Sequence, residues 1–155
     1  MQPLNSLEEE LVRAWFRLAI TLPRSLDADL QAGQGVSLRE YGALMHLSEA
    51  PERRLRIGDL AALCDMSLSG MTRMIDNLVR AGLIARVQSD NDGRGADAVL
   101  TEKGLERLRD AYPVHLAGVR SRLVEPLHGM DLPQLVEAMQ ACVTASAPAK
   151  NRRAP

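Results

Sequence analysis

The residues best suited to specific polar contacts lie in the run Ser-Leu-Ser-Gly-Met-Thr-Arg-Met-Ile-Asp-Asn-Leu-Val-Arg, positions 67–80. Ser67 is a good helix N-cap, because its hydroxyl accepts a bond from an orphan backbone N–H. Met71, Ile75, Leu78 and Val79 then fall at i, i+4, i+7 and i+8, one apolar helical face. Ser69, Thr72, Arg73, Asp76 and Asn77 occupy the other. Small residues at a leading helical turn let the backbone approach another surface. Its free N–H groups suit phosphate, while Arg and Asn suit base edges. That is the chemistry of a helix entering a DNA major groove. An ordinary solvated face of a helical hairpin carries the same residue types, and helix-turn-helix pairs also occur in enzymes.

A second element must hold this helix. Within residues 56–84 a preceding helical pattern buries Leu60, Ala61 and Leu63 and meets the polar helix at a very short break. Ala81-Gly82 ends the polar helix, Gly82 suiting the left-handed position after it. The period then changes, and Leu83-Ile84-Ala85-Arg86-Val87-Gln88 reads as a strand. Residues 89–97 are dense in turn formers, and Ala98-Val99-Leu100-Thr101 reads as the returning strand. A β-hairpin in this place is a wing. Arg94 near its tip suits a narrow minor groove, and Asp92 is placed to hold that side chain extended. The plain alternative is a solvated turn with an incidental ion pair.

The flanking elements are helical. Ser6-x-x-Glu9 reads as a capping box opening a helix over 6–22. Leu7, Leu11, Trp15, Leu18 and Leu22 form its stripe, widened by Val12, Phe16, Ala19 and Ile20. So wide an apolar girth predicts burial on two sides, one of them by a partner subunit. Pro23 should kink or interrupt it, with Leu26 and Leu30 resuming the pattern before Gly33-x-Gly35. Ser37-x-x-Glu40 opens a helix to about Glu49, with Leu38, Tyr41, Leu44 and Met45 inward. A long helix over 102–127 follows the hairpin, bent at Pro113. Asp131-x-x-Gln134 caps a last helix with Leu132, Leu135, Val136, Met139 and Val143 on one face. Residues 146–155 read as a mobile basic tail.

Composition narrows the function. With 155 residues, the chain is long enough for one domain with a real core. Its four aromatics (Trp15, Phe16, Tyr41, Tyr112) all lie outside 56–104, which argues against single strands read by base stacking. No apolar run approaches the roughly 20 residues of a membrane span. The acidic start, Glu8-Glu9-Glu10, lacks the order of a signal peptide, so a cytoplasmic protein is expected. Residues 52–103 hold eight cations (Arg53, Arg54, Arg56, Arg73, Arg80, Arg86, Arg94, Lys103) and eight acids (Glu52, Asp59, Asp65, Asp76, Asp90, Asp92, Asp97, Glu102). DNA affinity must therefore come from where arginines point rather than from bulk charge. Cys64 and Cys142 are expected to be reduced and buried. His46, His115 and His128 lack ligand spacing, so no metal or cofactor is expected. No paired-carboxylate, Cys-His or Ser-His-Asp arrangement and no phosphate-binding glycine loop points to catalysis.

The helix run at 68–84 and the sequence Asp92-Gly-Arg94-Gly-Ala-Asp-Ala-Val-Leu100-Thr101 resemble the recognition helix and wing of the MarR family of winged-helix transcriptional regulators. Trp15 and Ser37-Leu-x-x-Tyr41 fit as well, and the likeness covers roughly 5–145. It implies a mainly α (α+β) fold, a winged helix-turn-helix with N- and C-terminal dimerisation helices. Residues 1–36 and 105–147 would form the helical dimerisation region, 37–104 the DNA-binding lobe and 148–155 the tail. The partners implied are a second copy and double-stranded DNA with a pseudo-palindromic operator. Ser67, Ser69, Gly70, Thr72 and Arg73 would face the groove, and Asn77 and Arg80 the phosphates. Arg94 would be the wing-tip contact and Asp92 its brace. Many members bind a small aromatic or anionic effector between lobe and dimerisation helices, where Trp15, Tyr41, Met45 and His115 would line the cleft. The expectation is a repressor released by such a ligand. The alternatives are a winged-helix protein–protein adaptor without DNA binding, or a cysteine redox-sensing regulator. The absence of any Cys before Cys64 departs from the family's hydroperoxide sensors.

Overall fold

The computed structural model describes residues 2–89 and 95–146. Its elements are α1 (Ser6–Gln34), α2 (Leu38–Glu49), β1 (Arg54–Arg56), α3 (Ile57–Leu63), α4 (Leu68–Arg80), β2 (Ile84–Gln88), β3 (Ala96–Leu100), α5 (Glu102–Val119) and α6 (Leu132–Ser146). Asp92, Arg94 and the tail 148–155 lie outside the described residues. The chain separates into two compact units, the first ending at Val119 and the second beginning at Arg120.

In the first unit, α1 starts one residue earlier than the Ser6-x-x-Glu9 reading. Asn5 is the cap: its Oδ1 accepts from Glu8 N at 2.9 Å, and Glu8 Oε2 accepts from Asn5 N at 2.8 Å. Asn caps as well as Ser, so the reciprocal box closes at the first place that offers both partners. Pro23 does not interrupt α1, which runs unbroken for 29 residues to a left-handed Gly35. Pro removes a single backbone donor there, and buried Leu26 and Leu30 anchor the turns that follow. Residues 2–21, in α1 and its approach, are exposed, including Leu7, Leu11 and Phe16, so this part of the first helix is not buried within its own unit. The Ser37–Glu40 capping box on α2 forms as expected, Glu40 N to Ser37 Oγ being 3.2 Å.

The core gathers the inner faces of α2, α3 and α4. Leu30, Leu44, Leu47, Leu60, Met71 and Ile75 are its largest fully buried side chains. A three-stranded antiparallel sheet, in order β1-β3-β2, covers one side. The short strand β1 is absent from the reading of the sequence. Arg56 and Val87 both pair with Asp97, and Arg54 pairs with Val99, so these side chains share one sheet face. The other face puts Ile84, Ala98 and Leu100 into the core. Two residues expected inside lie outside, Leu63 at 54% exposure and Val79 at 38%. Leu63 ends a seven-residue helix and faces solvent, while Met74 takes the buried place on α4.

α5 is capped by Thr101, whose Oγ1 accepts from Gly104 N at 3.0 Å. Its α-helical geometry stops at Val119 rather than continuing to 127. In the second unit a π-helical turn, Arg120–Val124, and a 3-10 turn, Glu125–Leu127, replace it. Asp131 Oδ1 accepts from Gln134 N at 3.0 Å, the predicted cap of α6. Met130, Leu132, Val136 and Val143 are exposed. Cys142, expected to be buried, is exposed as well.

Candidate nucleic-acid interface

The turn between α3 and α4 is set by its backbone. Asp65 adopts a left-handed conformation, φ 49°, which Asp tolerates better than most side chains. Met66 N then donates to Ala61 O at 2.8 Å, and the chain leaves at a sharp angle into α4. Ser67 caps α4 by accepting from Gly70 N at 3.2 Å. A Cβ on Gly70 would lie 3.1 Å from that hydroxyl oxygen, so the residue keeps this corner slim.

The outer edge of α4 is open. Ser67, Ser69 and Arg73 are exposed, and Thr72 is half-buried. Thr72 Oγ1 donates to Leu68 O at 2.9 Å, so its hydroxyl hydrogen is spent on the helix. Leu68, Ser69, Thr72 and Arg73 line a shallow surface cleft along this edge. Among the described residues Arg73 has no ion-pair partner. Asn77 and Arg80 are also exposed, but Arg80 donates to Asn77 Oδ1, so the two are turned toward each other along the helix.

The neutral charge of the lobe resolves into local pairs. Arg54 Nε lies 2.7 Å from Asp97 Oδ2, Arg53 lies 2.6 Å from Glu102, and Arg86 lies 3.2 Å from Asp76. The last joins wing strand β2 to α4. The Arg53–Glu102 and Arg86–Asp76 pairs are exposed and add little stability, whereas Asp97 in the first pair is buried; none of these pairs engages Arg73. Sequence reading missed Arg54 and Asp97 as partners because β1 was not recognised. Its signal was the alternation Arg54-Leu55-Arg56, three residues with one apolar side chain. Lys103 was also missed; its ammonium donates to Ala81 O at 2.8 Å and caps the end of α4.

A second feature lies between α2 and α5. Tyr41, Met45, Ser48, Glu49, Leu108, Arg109 and Tyr112 line a groove of about 360 Å³. His115 stacks its ring on Tyr41 with centroids 4.4 Å apart. Of the four residues placed in an effector cleft, Tyr41 and Met45 thus line the groove and His115 backs it. Trp15, 44% exposed on α1, is not among the lining residues. Arg109 and Tyr112 are additions that helical periodicity alone could not distinguish from a solvated face. Burial lowers the His115 pKa below its ordinary 6.5, and Nδ1 is buried with no partner among the described residues. Burial, and then the nearby Tyr112 and Glu49, raise the Tyr41 phenol. Burial also pushes the Cys64 thiol up, which disfavours the reactive thiolate. Among the described residues no group of three or more His, Cys, Asp and Glu side chains could hold a metal. No helix among them is long and apolar enough to cross a membrane.

Known proteins share this arrangement. A family model described as MarR family matches residues 34–95. AbsC, a MarR family transcriptional regulator of Streptomyces coelicolor, is 33% identical, with a TM-score of 0.85, over 92% of this chain and 96% of its own. Sco3205, a MarR family transcriptional regulator of the same organism solved in complex with DNA, is 29% identical. It superposes with a TM-score of 0.89 over 99% of this chain and 97% of its own. The transcriptional repressor MprA of Escherichia coli is 35% identical over 80 residues, 52% of this chain and 46% of its own length. The chain spans about half the length of the curated relatives it matches. These relatives are transcriptional regulators and not enzymes. With the helix-turn-helix, the three-stranded sheet and a relative matched end to end, this chain belongs to the MarR family of transcriptional regulators.

Proposed function

We propose that the protein is a dimeric, sequence-specific repressor of transcription that binds a pseudo-palindromic operator in double-stranded DNA. The observation that carries this reading is the open edge of α4. Ser67, Ser69, Gly70 and Thr72 keep the corner slim, and Arg73 projects from it without an ion-pair partner among the described residues. Such an edge fits a major groove, with Arg73 on a base edge and the first N–H groups of α4 on phosphate. Asn77 and Arg80 face the flanking phosphates. Arg94 and Asp92 take the wing-tip roles, as contact and brace. The complex of Sco3205 with DNA supports the same use of the fold.

The second copy covers the apolar surface of α1, where Leu7, Leu11, Trp15, Phe16 and Ile20 are exposed. Contiguous apolar surface of this kind is characteristic of an obligate interface. Two lobes held about 34–36 Å apart then read two half-sites one helical turn apart. An aromatic or anionic effector seated between α2 and α5, with Arg109 supplying charge and Tyr41, Met45 and Tyr112 apolar surface, would favour a different lobe spacing. A release mechanism requires that difference in affinity between the two spacings.

Gel retardation and footprinting on DNA upstream of the protein's own gene test the reading. The expected result is a retarded complex at submicromolar protein, weakened steeply by salt, with two protected half-sites. No salt-sensitive complex on any neighbouring promoter overturns it.

A further inference from the structure

We infer that Arg54 is a positioning residue for the wing, its one guanidinium holding both strands of the hairpin where they leave the sheet. The inference rests on the DNA-binding reading above and assigns a role within it.

Arg54 projects from β1, the strand farthest from β2 in the sheet order. Its Nε donates to Asp97 Oδ2 at 2.7 Å, and its Nη2 donates to the carbonyl of Gln88 at 3.3 Å. Gln88 is the last residue of β2, and Asp97 is the second of β3. The two bonds therefore span the base of the hairpin. Between them Ser89 N donates to Gly95 O at 3.0 Å, closing that base, and Ser89 is buried. The segment joining Ser89 to Gly95 carries Arg94. A two-stranded hairpin held only by its own ladder is marginal and free to twist about its root. A third strand whose side chain grips both exits fixes Gln88 and Ser89 relative to Gly95 and Asp97, the described residues on either side of that root.

Asp97 makes the case that this grip is more than packing. Its side chain is 8% exposed, and Oδ1 is buried with no partner among the described residues. A buried carboxylate with one oxygen unsatisfied is an expensive choice for a strand, where Val or Thr would pack at no such cost. The expense is explained if the carboxylate orients the planar fork of Arg54 toward Gln88. Lysine has a single point of charge and cannot serve both acceptors in that geometry.

The test uses the full-length protein in two variants. Arg54→Lys keeps the charge and removes the fork. The double variant Arg54→Met with Asp97→Leu replaces the pair by apolar side chains of similar size, a change that usually preserves folding. Readouts are thermal melting, amide exchange at Ser89, and paired footprints: hydroxyl-radical cleavage, and methylation of guanine N7 in the major groove. In both variants we expect melting near the parent, Ser89 exchange faster by about tenfold, and flanking protection lost while guanine protection persists. Affinity should fall about tenfold and the salt slope by about 1, one lost backbone contact. A double variant that melts, exchanges and protects like the parent overturns the inference, because the pair would then be structural filling. If the parent leaves no footprint on any fragment, the DNA-binding reading fails. The Ser89 exchange then decides separately whether Arg54 holds the hairpin root.

Discussion

Gly104, the third residue of α5, permits a close approach between that helix and the backbone of Leu83, just before β2. A Cβ built there lies 2.1 Å from the carbonyl oxygen of Leu83 and 2.7 Å from Leu100 Cδ1. That oxygen already accepts from Thr101 N and from Thr101 Oγ1, both at 3.1 Å, so it cannot turn away without losing them. Since ordinary contact begins at 3.4 Å, Gly104→Ala must open the junction by about 1.3 Å, the difference from 2.1 Å. Overpacking of this kind costs about 3 kcal/mol when the obstacle is backbone. Weakened bonds at Leu83 add about 1 kcal/mol. Alanine's better helix propensity returns at most about 1 kcal/mol. The net expectation is a loss of about 3 kcal/mol, or about 6–12 °C in Tm for a chain of this size. Gly42, in the middle of α2, is the control. Nothing lies within 4 Å of its added Cβ, so Gly42→Ala should stabilise by about 0.5–1 kcal/mol. Both variants are melted beside the parent at one protomer concentration, because association itself shifts Tm. A Gly104→Ala protein melting at or above the parent would refute the reasoning.

Stability should also carry a His115 signature. Burial lowers its folded pKa below 6.5, so the unfolded state binds more protons as the pH falls through that value. The neutral ring's contribution is complete above pH 6.5 and is lost on acidification below it, and His115→Phe should flatten that limb of the denaturation profile. On DNA, Arg73→Ala should cost about 1–3 kcal/mol and relax base choice at one operator position, read from a substituted-site binding series. Arg94→Ala should weaken binding chiefly where the minor groove is narrow, so A-tract flanks distinguish it from Arg73→Ala. Leu11→Glu combined with Phe16→Glu, at positions 66% and 65% exposed, should convert a dimer to monomers in sedimentation equilibrium. Retention of the dimer would show that the partner sits elsewhere.

Much of the DNA-binding lobe could be read from local pattern. Ser67 as a cap, the apolar period of Met71, Ile75 and Leu78, and Gly82 at positive φ each follow from bonding within a few residues. The misses share a different character. β1 is three residues long, so the alternation Arg54-Leu55-Arg56 is too brief to mark a strand by itself, and the ladder comes from β3. Pro23 looked like a break because the rule counts the lost backbone bond and not the packing of Leu26 and Leu30 beyond it. Leu63 and Val79 satisfy the helical period but sit at the margins of the buried face, where rotation by a fraction of a turn decides exposure.

The candidate interface divides the same way. Residue types and their helical spacing determine by themselves that Ser69, Thr72 and Arg73 share one edge, because the α-helix has a single repeat. Which charges remain available on that edge depends on tertiary structure, since Arg54, Arg53 and Arg86 find their acids through contacts across the sheet and lobe. The stacking of His115 on Tyr41, residues 74 positions apart in sequence, likewise exists only once α5 has packed against α2. Local bonding is encoded within a few residues of where it acts. Charge pairing and burial depend on what the folded chain brings alongside, and only the assembled fold sets them.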